Sequence, residues 1–489
     1  MFNSVVQAVF SHAETKKDKI CLADEKGSVT YSEYKELILN IAAELQSLGV
    51  KEDDKVVIEA SQTIDFLATA LAVQLIGGVF VPVERNCAWD KTLRIAETAE
   101  AVLVVSLKEQ ESGDIKHLSM ASLAENAKEK AQTVSYEFSD RDTVCELLFS
   151  TGTTGKEKGI VITNGNNIAL AENVMFGVEM EEDNVEMIPS PLNHSHGLRR
   201  YYANMVKGAT VVLATGVMNV IGFFGLMDKY GVNSMDLVPT ALTVLLKLSK
   251  GKFADYKDVM RYIQFGSAPL SDGDKETIRT LLPDTHLYNF YGSTESGCIC
   301  IYDFNDGKDK PKCIGKPTHN AKIVIVDEER KEIGAIENNT GLLASFGGMN
   351  MKGYWKDDEE TARVMFEGGI YSNDESYFDE DGDIILLGRK GDVINVAGNK
   401  VSPDEIEDVV KKMHGVEDCG CIGISDPLKG NTPKLFVQMK KGCAFDSTAI
   451  RAFIAGELEP YKVPSVIEEI ELIPRSFNGK LLRRALRNI

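Results

Sequence analysis

Apolar and polar positions along the chain alternate between two periods. Short apolar runs at 55–59, 79–81, 101–105 and 434–439 read as strands, while longer amphipathic segments at 66–76, 92–98 and 403–414 read as helices. A further helix opens within 30–37, with Ser32 placed to serve as its N-cap. Strands alternating with helices predict an α/β fold with mostly parallel sheets. From Ile323 to Leu387 the pattern shifts to short strands and turns, as expected of a distorted barrel or β-rich subdomain. The glycines flanking charge in Gly388-Arg389-Lys390-Gly391 mark a boundary, and the elements beyond it are enough for a small α+β domain of about 100 residues. The chain of 489 residues therefore divides into 1–387, a hinge at 388–391 and a C-terminal domain at 392–489. The stretch 66–83 comes nearest to a membrane span, but Gln74, Gly77, Gly78 and Pro82 make it a buried helix followed by a short strand. No basic region followed by an apolar block opens the chain. A cytoplasmic protein with no integral membrane span is expected.

Composition narrows the partners. Hydrophobic residues at 43% and charged residues at 26% are ordinary for a soluble domain. The formal charge of −20 speaks against binding nucleic acid or an anionic membrane, both of which need an extended basic surface. Any anionic ligand must instead meet local islands of positive charge, for which the lysines beside Gly155 and the Arg389-Lys390 pair are candidates. The nine cysteines are scattered. The pairs Cys298/Cys300 and Cys419/Cys421 lack the two-residue gap of common zinc sites, so free thiols are expected.

The densest chemical signal lies at 150–159, Ser-Thr-Gly-Thr-Thr-Gly-Lys-Glu-Lys-Gly, between apolar runs at 145–149 and 159–163. Glycines let backbone N–H groups turn toward an anion, the hydroxyls add donors, and Lys156 and Lys158 add charge. The spacing of Gly152, Gly155 and Lys156, and the strand that follows in place of a helix, exclude a Walker A loop. Further segments follow in order: Pro191-Leu192-Asn193-His194-Ser195-His196-Gly197, Gly266-Ser267-Ala268-Pro269-Leu270, Tyr291-Gly292-Ser293-Thr294-Glu295, 371–374, Gly388 to Asp392 with Gly398 and 403–407, and 474–480. This ordered set resembles the adenylate-forming superfamily, which includes acyl-CoA synthetases, adenylation domains of peptide synthetases and beetle luciferases.

The resemblance implies a large N-terminal adenylation domain with mixed sheets and a small mobile C-terminal domain. It also implies the substrates ATP and CoA, with Mg²⁺. On it, Ser150, Thr151, Gly152, Thr153, Thr154, Gly155, Lys156 and Lys158 hold the β- and γ-phosphates, and Thr294 donates to the α-phosphate. Glu295 binds Mg²⁺, a hard ion that takes carboxylate and phosphate oxygen together. Ser267, Ala268, Pro269 and Gly292 line the nucleotide site, Tyr291 offers a flat face and Asn289 an amide to adenine, and Asp374 and Arg389 meet the ribose. The usual glycine before that aspartate is Asn373 here, a departure that bears on the local turn and not on the carboxylate. Lys480 is the catalytic lysine that bridges carboxylate and α-phosphate. Gly398 borders the pantetheine path to CoA, and Gly391 takes the hinge position, where glycine can absorb a large φ/ψ change.

For the acyl group, His194 matches a gating position, and Gly266 and Gly292 would let a chain or ring lie against backbone. No acid occurs in 192–200, which disfavours an α-amino acid. Arg199 and Arg200 point in different directions on a helix, so at most one could reach a second acidic group on the substrate, and packing outside the pocket is favoured. The expected activity is an ATP-dependent ligation of a fatty or other organic acid to CoA through an acyl-adenylate. Loading of an acyl carrier protein is the nearest alternative, and a nucleotide-binding protein without turnover is a more distant one.

Overall fold

Many helices of this chain begin at a side chain that satisfies the first free N–H groups. At the helix Tyr31–Ser47, Thr30 accepts from the Glu33 N–H at 3.2 Å and the Glu33 carboxylate accepts from the Thr30 N–H at 2.8 Å. Thr30, not Ser32, is therefore the N-cap; a helix can begin one residue after any hydroxyl that has a Glu at the third position. The computed structural model describes residues 2–489 except 111–114, 129, 131–133, 152–156, 308, 338, 397–398, 428–429 and 476–480.

Three sheets organise the described residues. A seven-stranded sheet carries the parallel strands Val79–Val83, Lys55–Glu59, Ala101–Ser106 and Lys116–Ser119. Beside Val79–Val83 lies Val144–Thr151, which turns back antiparallel into Glu157–Thr163. The phosphate-loop motif thus joins two strands of a hairpin, as the sequence pattern predicts. Pro82 sits within a strand whose register pairs it with Ile58.

The second sheet has fourteen strands. Its parallel half runs Ile20–Ala23, Thr210–Leu213, Val185–Ile188, Ser234–Leu237, Tyr262–Phe265 and His286–Ser293. From there it continues antiparallel through Gly297–Asp303, Cys313–Pro317, Ile384–Arg389, Gly369–Phe378, Gly341–Phe346 and Lys322–Val326. The β-rich stretch forms the antiparallel end of this fourteen-stranded sheet, joined to the parallel part through Cys313–Pro317. Local patterning shows that strands exist but not which edge they join.

The helices Asn164–Gly177 and Ser195–Lys207 pack against each other between the two sheets. One apolar core draws on both sheets, from Val56 and Phe80 on one to Val211 and Leu213 on the other. Burying these side chains drives association of the layers, at about 25 cal/mol per Å² of apolar surface. A third sheet, Asn399–Val401, Ile394–Val396, Gly430–Met439, Val416–Asp426 and Val466–Glu469, has its own core around Val401, Ile406, Leu435 and Ile450. The last strand of the large sheet ends at Arg389 and the first of the small one starts at Ile394. Gly391 lies between them with φ 91°, in the region that favours glycine. No helix among the described residues is long and apolar enough to cross a membrane. All nine cysteines are free.

Candidate active site

Asp374 and Arg389 face each other in register on neighbouring antiparallel strands, with Arg389 Nε 3.6 Å from Asp374 Oδ1. The Tyr291 hydroxyl donates to the other oxygen of Asp374. Three segments distant in sequence therefore meet at one carboxylate. The missing glycine before it is made good by Ser372, whose hydroxyl accepts from the Asp374 N–H at 3.1 Å and donates to the Leu343 carbonyl at 2.9 Å. Asn289 lies on the same strand as Tyr291. Ser267, beside Ala268 and Pro269 in the loop after Tyr262–Phe265, has φ 71°, an uncommon conformation for a residue with a Cβ.

Thr294 and Glu295 follow the end of the strand His286–Ser293, in a turn closed by Ser293 and Ser296, whose N–H groups each donate to the other's hydroxyl. Tyr354 donates to Glu295 Oε1 at 2.8 Å, and the Met351 N–H donates to the Glu295 carbonyl at 2.7 Å. Lys158, from the phosphate hairpin, lies 5.4 Å above the Tyr354 ring and pairs with Glu360. Arg363 and then Lys158 hold the Glu360 carboxyl down at about 2. Neither Tyr354 nor Glu360 stands out in the sequence, because their contacts span tens to hundreds of residues. Within the phosphate loop, Gly152, Thr153, Thr154, Gly155 and Lys156 lie outside the described residues, as do Gly398 and Lys480, while Ser150 and Thr151 end the strand Val144–Thr151.

The wall beyond Thr294 is built by the helix Ser195–Lys207, for which His194 is the N-cap residue without a capping bond. Burial pushes the His194 imidazole below its usual value, and Asn193 Nδ2 lies 3.2 Å from its Nε2. His196 Nε2 is 2.9 Å from Asp236 Oδ1. Its neighbour is therefore a carboxylate of the adjacent strand and not a metal-ligand set. A Cβ on Gly266 would stand 2.7 Å from His196 Cε1, and one on Gly292 would stand 1.8 Å from the Gly297 carbonyl oxygen. These two glycines make room for protein atoms rather than for an open channel.

Both arginines of the helix are committed to the protein. Arg200 is wholly buried, with Nε 3.3 Å from Asp236 Oδ1 and its guanidinium 4.4 Å over the Phe290 ring. Burial pushes the Asp236 carboxyl up, but His196 and Arg200 outweigh it and hold the group below its usual value. Arg199 donates to Ser195 Oγ at 2.9 Å and to the Ser293 carbonyl.

Beneath the site, Glu146 in the phosphate-hairpin strand is fully enclosed and receives bonds from Tyr202 and from Asn167 at 3.3 Å. Burial raises its carboxyl to about 8. In the folded state it keeps its proton between about 4.5 and 8 while the unfolded chain loses it, so its contribution to stability falls as pH rises through that window. Glu146→Gln keeps the shape and removes the titration. Its stability relative to the parent is expected to improve by up to about 4 kcal/mol between pH 5 and pH 8, as read by urea unfolding at both pH values. A difference independent of pH would contradict a protonated Glu146.

Comparison with known proteins accords with this geometry. Residues 9–355 match the family model for AMP-binding enzyme, and residues 405–480 match that for AMP-binding enzyme C-terminal domain. The chain belongs to the AMP-binding enzyme family. It is an AMP-forming acid–thiol ligase of the acyl-CoA synthetase type, with ATP and CoA as substrates. A 2-succinylbenzoate–CoA ligase of Bacillus thuringiensis subsp. konkukian is 27% identical over 475 residues, covering 96% of both chains. In structure the chain is similar to ATP-bound MatB from Rhodopseudomonas palustris, with a TM-score of 0.88, 22% identity and coverage of 100% and 99%. The o-succinylbenzoate CoA synthetase of Bacillus subtilis with its acyl-adenylate gives 0.87 at 22% identity, covering 99% and 98%. These structural likenesses extend to the fold.

Proposed function

We propose that this ligase forms its acyl-adenylate in the crevice between the phosphate hairpin and the carboxyl ends of the parallel strands, and that free CoA then takes the acyl group. The observation that carries this reading is the convergence of Tyr291, Asp374 and Arg389 next to Thr294 and Glu295. It offers a carboxylate and a guanidinium for ribose hydroxyls beside a hydroxyl and a second carboxylate for phosphates. Glu295 fits Mg²⁺, since Tyr354 engages only one of its oxygens and leaves the other as a hard donor. The ion, when bound, offsets charge on the triphosphate.

This chain's own residues do the rest. Lys158 exchanges Glu360 for the β- and γ-phosphates, together with the loop residues from Ser150 to Lys156. Thr294 donates to the α-phosphate, and Lys480 brings the substrate carboxylate against it, with charge placed where the transition state develops it. His194, kept neutral by burial, adds no charge beside the incoming carboxylate. After pyrophosphate leaves, rotation at Gly391 presents Gly398 to the adenylate. Supporting this, Lys400 on the strand Asn399–Val401 lies 3.1 Å from Glu375, the neighbour of Asp374.

The acid is a fatty or other organic acid without a second carboxylate bound by Arg199 or Arg200, both of which already have partners. The Bacillus relatives are ligases of 2-succinylbenzoate, which has two carboxylates; here any second carboxylate must be met elsewhere. A panel of aliphatic, aromatic and dicarboxylic acids, read by pyrophosphate release with free CoA or a loaded carrier protein, tests the reading. Release that depends on a neutral acid and turns over with free CoA is expected. Strict dependence on a dicarboxylic acid that is lost in both Arg199→Met and Arg200→Met would overturn the acid assignment, and turnover only with carrier protein would overturn the acceptor.

A further inference from the structure

Arg199 is 6% exposed, yet the contacts of its guanidinium are all neutral: Ser195 Oγ at 2.9 Å, the Ser293 carbonyl and Cys298 Sγ at 3.4 Å. None of the bonds it makes among the described residues is to a carboxylate, and its Nε has no hydrogen-bond partner. A buried cation of this kind is costly to keep unless something compensates it. A small cavity beside it is lined by Ser195, Thr294, Glu146 and Tyr202. Glu146 does not neutralise it, because burial keeps that carboxyl protonated up to about 8. The partners of Arg199 lead to the phosphate site: Ser195 Oγ is 3.3 Å from Thr294 Oγ1, and Ser293 is the residue before Thr294.

We propose that Arg199 is a positioning residue for adenylation: it fixes Ser195 and the Ser293 peptide so that Thr294 is aimed at the α-phosphate, and its charge stays uncompensated until that anion arrives. The inference rests on the assignment of Thr294 to the α-phosphate. A cation held behind a hydroxyl donor polarises that donor toward an incoming anion, and a fixed donor costs no reorganisation when charge develops. The guanidinium suits this task because its planar fork holds several acceptors at once, which an ammonium cannot do in the same geometry.

The test uses the full chain and acid-dependent ATP–pyrophosphate exchange. Arg199→Met is expected to lower kcat for exchange about 30-fold, the loss of one buried charge-assisted bond, while KM for neutral and dicarboxylic acids shifts alike. Arg199→Lys, which keeps charge without the fork, should recover part of the rate. Ser195→Ala and Arg199→Met should combine to less than the product of their separate effects, since they act through one contact. Thermal unfolding of each variant accompanies the kinetics. An unchanged kcat in folded Arg199→Met, a loss confined to KM for a dicarboxylic acid, or full additivity with Ser195→Ala overturns the proposal. If Arg199→Met does not fold, a wild-type kcat in Arg199→Lys overturns it and a reduced kcat supports it. Thr294→Ala separates the two readings: if it leaves exchange intact, the α-phosphate assignment fails whatever Arg199 does.

Discussion

Lys480→Ala is expected to slow acyl-adenylate formation by a factor on the order of 10²–10³ while supplied acyl-adenylate is still converted to the CoA thioester at close to the parent rate. The asymmetry follows from the charge requirements of the two steps. Two anions, the substrate carboxylate and the α-phosphate, must approach in the first, and a lysine between them stabilises the transition state more than either ground state. In the second step a thiol attacks a mixed anhydride, and the same lysine has no anion pair to bridge. Pyrophosphate exchange and thioester formation measured separately decide the matter. Equal losses in both would remove Lys480 from the adenylation machinery as a dedicated residue.

The second large effect concerns stability. Asp236→Ala leaves Arg200 wholly buried without its carboxylate, and His196 without its neighbour. Removing one partner of a buried pair strands the other charge, so a loss of about 3–5 kcal/mol is expected in equilibrium unfolding. The double variant Arg200→Met/Asp236→Leu should recover most of it, because apolar side chains of similar volume can replace a buried pair at little cost. A single variant as stable as the parent would mean that Glu186, in the same buried network with its carboxyl raised to about 7 by burial, takes over the arginine by ionising. That outcome would show itself as a new dependence of stability on pH.

Both effects bear on how the site divides its charges. Arg200 is neutralised inside the protein, Arg199 is not, and the two are adjacent in sequence. A helix turns about 100° per residue, so neighbours face different surroundings. Here one faces the strand Ser234–Leu237 and the other the turn at Ser293. The sequence shows two arginines shortly after His194; only the packing of the helix decides which of them is paired with a carboxylate.

Much of the chemistry is legible in the sequence. The decapeptide at 150–159, the segment from Tyr291 to Glu295, Asp374 and Lys480 stand out because the phosphate, metal and ribose binding proposed for them would demand particular residue types at short, fixed spacing. The α/β class is equally legible, since the helical and strand periods are local properties of the chain. Long-range pairing is not. That the strands between Ile323 and Leu387 extend the large sheet depends on edges that meet only after folding. Likewise Tyr354 on Glu295, Glu360 on Lys158 and Tyr291 on Asp374 join residues 59, 202 and 83 positions apart. Burial is also a tertiary property: Glu146, Arg200 and Asp236 are ordinary letters in the sequence, and enclosure alone turns them into a protonated acid and a buried ion pair. Local composition and spacing settle which reactive groups the chain brings to its site. Folding settles which of those groups are paired, neutral or left charged, because desolvation and Coulomb energy depend on distances that only the packed protein fixes.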